Sequence, residues 1–262
     1  MASSEQGGPG ASSAVSAQSF VHALTPILAA VTEQIDGPIQ QAAELVVTSL
    51  RANGVIQAFG SGHSEALAME IAGRAGGLVP TNRIALRDIV LYGGDPIEAL
   101  ADPMVERGTG IAHRLYDLAP VKPDDVFVIA SNSGINGAVV EMALLVKERG
   151  HKLVAITSAE HSAGVQSRHP SGRKLGEIAD VVLDNGAPYG DAALPLPGGG
   201  AVGAVSSITA ALLAQQIVTE VVARLLAAGI TPPVYLSDNV PGGKEHNAEI
   251  EARYAGRIRR TA

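Results

Sequence analysis

The sequence predicts an α/β fold in which a parallel sheet is covered by helices on both faces. Three observations predict it. Short apolar runs recur at residues 55–59, 126–130, 153–157 and 181–183. They are too short for amphipathic helices and rich in β-branched residues, as strands buried on both faces are. Helix-compatible stretches separate most of them, the alternation that builds parallel sheets. Two runs end in hydroxyl-rich turns that open helices: Gly60-Ser61-Gly62-His63-Ser64, and Ser131-Asn132-Ser133-Gly134. Free N–H groups at a helix start, close glycine backbone and serine hydroxyls together make an anion site.

In chain order, residues 1–14 are Ser, Gly and Ala with a Pro and no apolar period, and read as a disordered tail. Residues 15–28 and 39–52 have apolar positions at helical spacing. Pro38 suits a first helical turn, and Pro26 is expected to kink or end the first helix. After the strand at 55–59, a helix is expected over 64–75, ended by Gly76-Gly77. Residues 78–91 read as extended, 103–118 as a helix, 126–130 as a strand and 137–149 as a helix. The strands 153–157 and 181–183 follow, and a helix over 206–228 is capped by Gly229. Two segments, 160–175 and 185–203, read as irregular, with Gly198-Gly199-Gly200 a flexible loop. The residues after Pro241 read as a charged tail.

The 262 residues are 46% hydrophobic but only 3% aromatic, with no Trp, which suits an aliphatic core and not a base-stacking surface. A net charge of −7 has the wrong sign for nucleic acid, so no nucleic-acid partner is expected. The absence of Cys excludes disulfides, thiolate metal sites and Cys nucleophiles. The apolar stretch 208–228 is interrupted by Gln215, Gln216, Glu220 and Arg224. It reads as a buried helix or subunit interface and not as a membrane span. No basic region followed by an apolar stretch opens the sequence, so a cytoplasmic protein is expected. His161 and His169 are not paired at helical spacing and no HExxH occurs, so no metal is expected. Gly60-Ser61-Gly62 lacks both the third glycine of a dinucleotide fingerprint and the lysine of a P-loop, so no nucleotide cofactor is expected either.

The paired turns and the pattern between them resemble the sugar isomerase (SIS) domain family of phosphosugar enzymes and sensors. The resemblance spans about residues 15–247 and is closest to a stand-alone bacterial subgroup. It is carried by Phe59-Gly60-Ser61-Gly62-His63-Ser64, Arg74-Ala75-Gly76-Gly77-Leu78, Ser131-Asn132-Ser133-Gly134 and Ser167-Arg168-His169-Pro170-Ser171-Gly172. Asp184-Asn185 with Gly190-Asp191-Ala192, and Pro232-Pro233-Val234, add to it. The resemblance implies a three-layer αβα sandwich on a five-stranded parallel sheet with N-terminal helices added. It also implies a homodimer with its site near the subunit interface. From their charge, residues 248–262 read as a C-terminal tail beyond that domain. Reactions in the family include aldose–ketose isomerisation, ether elimination by N-acetylmuramic acid 6-phosphate etherase, and dehydration of N-acetylglucosamine 6-phosphate. Other members only sense sugar phosphates.

By resemblance, Ser131, Asn132, Ser133 and Asn136 hold the phosphate, and Ser61, Gly62 and Ser64 complete the pocket or hold the sugar. Ser158 supplies a further hydroxyl or an N-cap. Removing the proton on carbon 2 of an open-chain sugar needs a nearby base, and expelling the carbon 3 group needs an acid. Two carboxylates in unlike surroundings can divide those tasks. Glu70, on the helix leaving the first turn, is one candidate, or else a solvated helix carboxylate. Glu106 is the other: related etherases carry a second glutamate near this place, although here its neighbours differ, and Arg107 offers a structural ion pair instead. His63 in the first turn would assist near neutral pH or pack as part of the turn. Arg168 would fold over the phosphate from the polar segment, or lie on an exposed basic loop. His246 is a further participant from the C-terminal region, or part of a solvated tail. Expected together, these residues make a phosphosugar lyase acting on N-acetylglucosamine 6-phosphate, with an isomerase or a sensor as the alternatives.

Overall fold

The computed structural model describes residues 15–102 and 104–260. The expected tail over 1–14 lies outside the described residues. Helices α1 (Ala17–Thr32) and α2 (Pro38–Arg51) lead into β1 (Ile56–Gly60) and α3 (Glu65–Ile71), followed by β2 (Thr81–Ile84) and α4 (Asp88–Leu91). Two short helices, α5 (Met104–Arg107) and α6 (Ile111–Leu118), precede β3 (Val126–Ala130), α7 (Gly137–Glu148) and β4 (Lys152–Thr157). Then come α8 (Ala159–Ala163), α9 (Leu175–Ile178), β5 (Val181–Asp184), a hairpin of β6 (Ala192–Pro195) and β7 (Ala201–Ala204), α10 (Ser206–Ala227) and α11 (Gly243–Ala252).

The five main strands pair in the order β2-β1-β3-β4-β5, every pair parallel. Alternate side chains leave a strand on opposite faces, so each strand feeds two cores. Ile56, Ala58, Val126, Val128, Val154 and Ile156 join α2, α3 and α10 in one. Phe59, Phe127, Ile129, Leu153 and Ala155 join α6, α7 and α9 in the other. That is why β1 and β3 are buried along their whole length and read as unbroken apolar runs. The result is the expected αβα sandwich.

The strand order also locates the site. From β1 the chain crosses through α3 on one face to β2, whereas from β3 it crosses through α7 on the other face to β4. The neighbours β1 and β3 therefore part company at their carboxyl ends. This is the switch-point crevice where open α/β sheets bind ligands, and both hydroxyl-rich turns open onto it.

Several elements depart from expectation. Pro26 neither ends nor breaks α1, which runs on to Thr32. Both Pro26 and His22, whose carbonyl loses its helical donor, lie on the exposed side, where water replaces the bond. Helix α3 stops at Ile71, short of Ala75. The helix expected over 103–118 is two pieces, interrupted at Gly108-Thr109-Gly110, and its first residue lies outside the described residues. The segment 185–203 contains a hairpin, with the three glycines in its turn. Helix α10 has the length and apolar content of a membrane span. Its Leu213, Ala214, Ile217, Val221 and Leu225 are buried in the core it shares with α2 and α3.

The C-terminal residues are the largest departure. The boundary expected at 247/248 falls inside α11, and the chain beyond it forms a strap along the free edge of β2. Arg259 N donates to Asn82 Oδ1 at 2.7 Å, while Arg260 donates to the carbonyls of Thr81 and Val79 at 2.7 and 2.6 Å. The strap satisfies an edge that would otherwise offer unpaired backbone groups. Arg257 goes deeper and meets Asp125 beneath the sheet.

Candidate functional site

At the first turn the chain leaves β1 extended at Ser61 and makes one 3₁₀ turn over Gly62–Ser64 before α3. Gly62 has φ +56°, and a Cβ there would stand 3.4 Å from Glu106 Oε2. Any side chain would be strained there by the backbone conformation and would lie in contact with that carboxylate. At the second turn Ser131 Oγ accepts the Gly134 amide at 3.1 Å, tightening the loop ahead of α7. Asn136 stands at the N-cap of α7, yet its side chain makes no capping bond, and no acidic residue occupies the first turn. The positive end of α7 is thus left for an anion.

The Asn136 side chain is turned elsewhere. Its Nδ2 donates to Glu106 Oε1, which also accepts Ser61 Oγ at 3.1 Å. Its Oδ1 accepts Arg168 Nη1 at 3.0 Å. One polar chain, Ser61–Glu106–Asn136–Arg168, therefore spans both turns and the polar segment after β4. Backbone contact brings α5 to this position: a Cβ on Gly137 would stand 2.3 Å from Arg107 O and 2.5 Å from Gly108 O. Only glycine lets the end of α5 lie against the start of α7. Among the described residues, Glu106 Oε2 accepts no hydrogen bond.

Between the turns lies a tight cavity of about 20 Å³, edged by His63, Ser64, Ser131, Asn132, Ser206 and Ser207. That is room for a water molecule, not for a hexose phosphate. Its polar wall is ordered from behind. Asn185 donates to Asn132 Oδ1 at 3.0 Å and accepts the Ala187 amide at 3.0 Å. Asn132 Nδ2 lies 3.3 Å from His161 Nδ1, and the His161 ring packs on Tyr189 at 5.2 Å. The hydroxyls of Ser64 and Ser133 and the ring of His63 have no hydrogen-bond partner among the described residues.

Other expected residues lie apart. Ser158 is fully buried, its hydroxyl donating to Ala187 O at 2.6 Å and accepting the His161 amide at 2.9 Å, as an N-cap of α8. Glu70 pairs with Arg74 and accepts Gln215 Nε2 of α10 at 2.6 Å. It lines a separate open hollow with Ala66 and Met69. The structure does not bring Glu70 and Glu106 into one carboxylate pair. His246, on α11, has Nε2 at 3.0 Å from the Val234 carbonyl, away from the cavity. Among the described residues no group of three or more His, Asp or Glu is placed to hold a metal ion.

Sequence reasoning missed Ser206 and Ser207, and assigned Asn185 and Asp191 no role. Asp191, at φ +72°, accepts the Ser206 amide at 2.7 Å and the Ser206 hydroxyl at 2.8 Å. It caps α10 from fifteen residues away, a pairing with no local signature. The Ser-Ser pair opening a long apolar helix was the one usable signal.

A five-stranded parallel sheet with two hydroxyl-rich turns at its switch point defines a small α/β protein that receives an anionic ligand. Residues 19–158 match the SIS domain, and the chain belongs to this phosphosugar family. Over most of its length the chain is similar to UPF0309 proteins. One from Listeria monocytogenes serovar 1/2a is 45% identical, the match covering 84% of this chain and 89% of that protein. Another, from Geobacillus kaustophilus, is 36% identical over 84% of this chain and 86% of its own length. The phosphoheptose isomerase GmhA from Neisseria gonorrhoeae superposes with a TM-score of 0.50 at 22% identity, covering 79% of this chain and 100% of that one. A phosphoheptose isomerase from Francisella tularensis gives 0.50 at 16% identity, covering 78% and 95%. These two share the fold.

Proposed function

We propose that this protein is a phosphosugar lyase that dehydrates N-acetylglucosamine 6-phosphate. The observation that carries the reading is the Glu106 carboxylate, drawn to the switch point by one donor from each turn and keeping Oε2 unbonded. Ser131, Asn132, Ser133 and Asn136, with the uncapped start of α7, receive the phosphate, and Arg168 closes on it. Ser61, Gly62 and Ser64 face the sugar, and Ser158 holds the loop behind them.

In the open-chain aldehyde the carbon 2 hydrogen is acidic because its electrons can move into the carbonyl. Glu106 takes that proton, giving an enolate. The enolate electrons then form the carbon 2–carbon 3 double bond as the carbon 3 hydroxyl leaves. Glu106 returns its proton to the departing oxygen with help from His63, so one water is lost and the enzyme is unchanged. No cofactor enters this balance. The cavity of a single chain is too small for the substrate, so the substrate is received by opening of the cleft. A homodimer with its site near the subunit interface is part of the proposal. The protein acts in the cytoplasm, without nucleic-acid or membrane partners.

The test is incubation with a panel of hexose and N-acetylhexosamine 6-phosphates, followed by mass and ultraviolet absorbance. Loss of one water with growth of conjugated-enal absorbance, for N-acetylglucosamine 6-phosphate alone, is expected. A ketose of unchanged mass would make the protein an isomerase using the same base. Tight binding with the sugar recovered intact would make it a sensor.

A further inference from the structure

Asn136 holds two partners of opposite charge. Its Nδ2 donates to the Glu106 carboxylate, and its Oδ1 accepts Arg168 Nη1 at 3.0 Å. A carboxylate on one side and a guanidinium on the other fix which way the carboxamide faces. Asn is a favoured N-cap residue, yet at the start of α7 this side chain caps nothing. Gly137 and Ala138 are buried, and their amides have no hydrogen-bond partner among the described residues. Unpaired amides in a buried stretch are costly, so this helix start calls for an acceptor that Asn136 does not supply.

Arg168 is the cation beside it. Among the described residues its side chain makes one hydrogen bond, to Asn136, and pairs with no carboxylate. A guanidinium has five N–H donors, so most of them are open to an oxyanion. The Arg168 amide donates to Ile135 O at 3.1 Å, which anchors the residue beside the second turn. The side chain therefore only has to rotate to leave Asn136 for an anion at the start of α7.

We infer, resting on the phosphate and base assignments made above, that Asn136 is a positioning residue through which the phosphate of the substrate releases the base. With Arg168 on Oδ1, the carboxamide is polarised, and its Nδ2 becomes a stronger donor to Glu106. A donor on a carboxylate competes with the proton that the carboxylate must accept. The bonds Arg168–Asn136–Glu106 thus form a latch. Phosphate at the Gly137 and Ala138 amides draws the Arg168 fork to itself. Asn136 then turns its donor to the phosphate as well. Glu106 keeps the 3.1 Å bond from Ser61 that aims it, and regains a lone pair on Oε1. A sugar without the phosphate leaves the latch closed. Selection for a phosphorylated substrate then acts on the chemical step as well as on binding.

By linkage, a latch that phosphate opens must itself oppose phosphate, and that opposition is measurable without turnover. Inorganic phosphate is titrated into the full chain by calorimetry at constant ionic strength. Glu106→Ala frees Asn136 and Arg168, and should bind phosphate about fivefold tighter or more. Glu106→Gln keeps an oxygen for Asn136 and should gain less. Simple repulsion between Glu106 and phosphate would give the two variants the same gain, with or without Asn136. The deciding measurement is the cycle with Asn136→Ala, which removes no capping bond from α7. In that background Glu106→Ala should change phosphate affinity by less than about twofold. A role in folding alone would not tighten an anion site. No saturable phosphate binding, no gain, the same gain in Gln and Ala, or the same gain in both backgrounds would overturn the switch. Water loss from the sugar phosphate without this coupling would leave the lyase standing without its switch. Coupling without a product would keep the switch and remove the lyase.

Discussion

The strands β1 and β3 carry a bound carboxylate at each end of their shared seam, and the two are treated oppositely. At the amino ends, Asp125 is fully buried. It accepts the Val55 and Lys122 amides, each at 2.9 Å, and Gln57 Nε2 at 2.8 Å, and it is paired with the guanidinium of Arg257. At the carboxyl ends, Glu106 is half-buried, and both of its hydrogen bonds come from neutral groups on one oxygen. A carboxylate saturated by donors and neutralised by a cation has nothing left to offer a ligand. One held by two neutral donors is oriented but keeps lone pairs free for proton transfer. The comparison separates a carboxylate that closes the fold from one that keeps acceptor capacity at the switch point.

Substitution at the carboxyl end should have the largest effect. Glu106→Gln keeps the hydrogen-bonding shape and removes the base. Turnover should fall by about 10²–10⁴-fold with substrate binding retained, read from single-turnover rates and a separate binding titration. Full activity in this variant would falsify the role of Glu106. At the amino end, Arg257→Ala strands a buried carboxylate. Stability should fall by about 3–5 kcal/mol in urea unfolding, with kcat per folded molecule unchanged. A loss of kcat without loss of stability would dissolve the contrast.

Gly62→Ala sharpens it further. The left-handed φ of +56° costs a non-glycine residue about 1 kcal/mol. Relieving that strain would shift the turn that carries Ser61 onto Glu106, so activity should drop by about tenfold, more than stability alone explains. The smallest effect concerns pH. His151, beside Asp125, is buried, with Nδ1 3.0 Å from the Asp125 carbonyl and Nε2 2.8 Å from the Tyr116 hydroxyl. Burial holds its pKa below the ordinary 6.5. The neutral ring is the folded form, so its contribution is present above that value and lost as pH falls through the lower folded pKa. Urea midpoints should decline on acidification through this window, and His151→Gln should flatten the decline. An unchanged slope would show that other groups set it.

Most of the fold was legible because buried parallel strands cannot be disguised: 126–130 was read to the residue and 153–157 to within one. The second turn and its helix were legible for the same local reason. What escaped was non-local. That Pro26 does not end α1 depends on which side of the helix faces water. The strap was misread as a tail because Arg257, Arg259 and Arg260 look solvated until β2 supplies carbonyls and Asp125 a counter-ion. In the site, Ser61, Asn136 and Glu106 were each named, but nothing local joined them. The place of Glu70 beside Gln215 depended on how α3 packs on α10.

The sequence by itself determined the αβα layering, the two hydroxyl-rich turns and the SIS family, since these follow from periodicity and short contiguous motifs. Tertiary structure alone decided which carboxylate stands at the switch point and which is sealed beneath the sheet. It also decided that the C-terminal arginines close an edge. Those outcomes depend on long-range packing, on Gly137 admitting α5 and on strand order bringing distant residues within hydrogen-bond reach, and no window along the chain contains them.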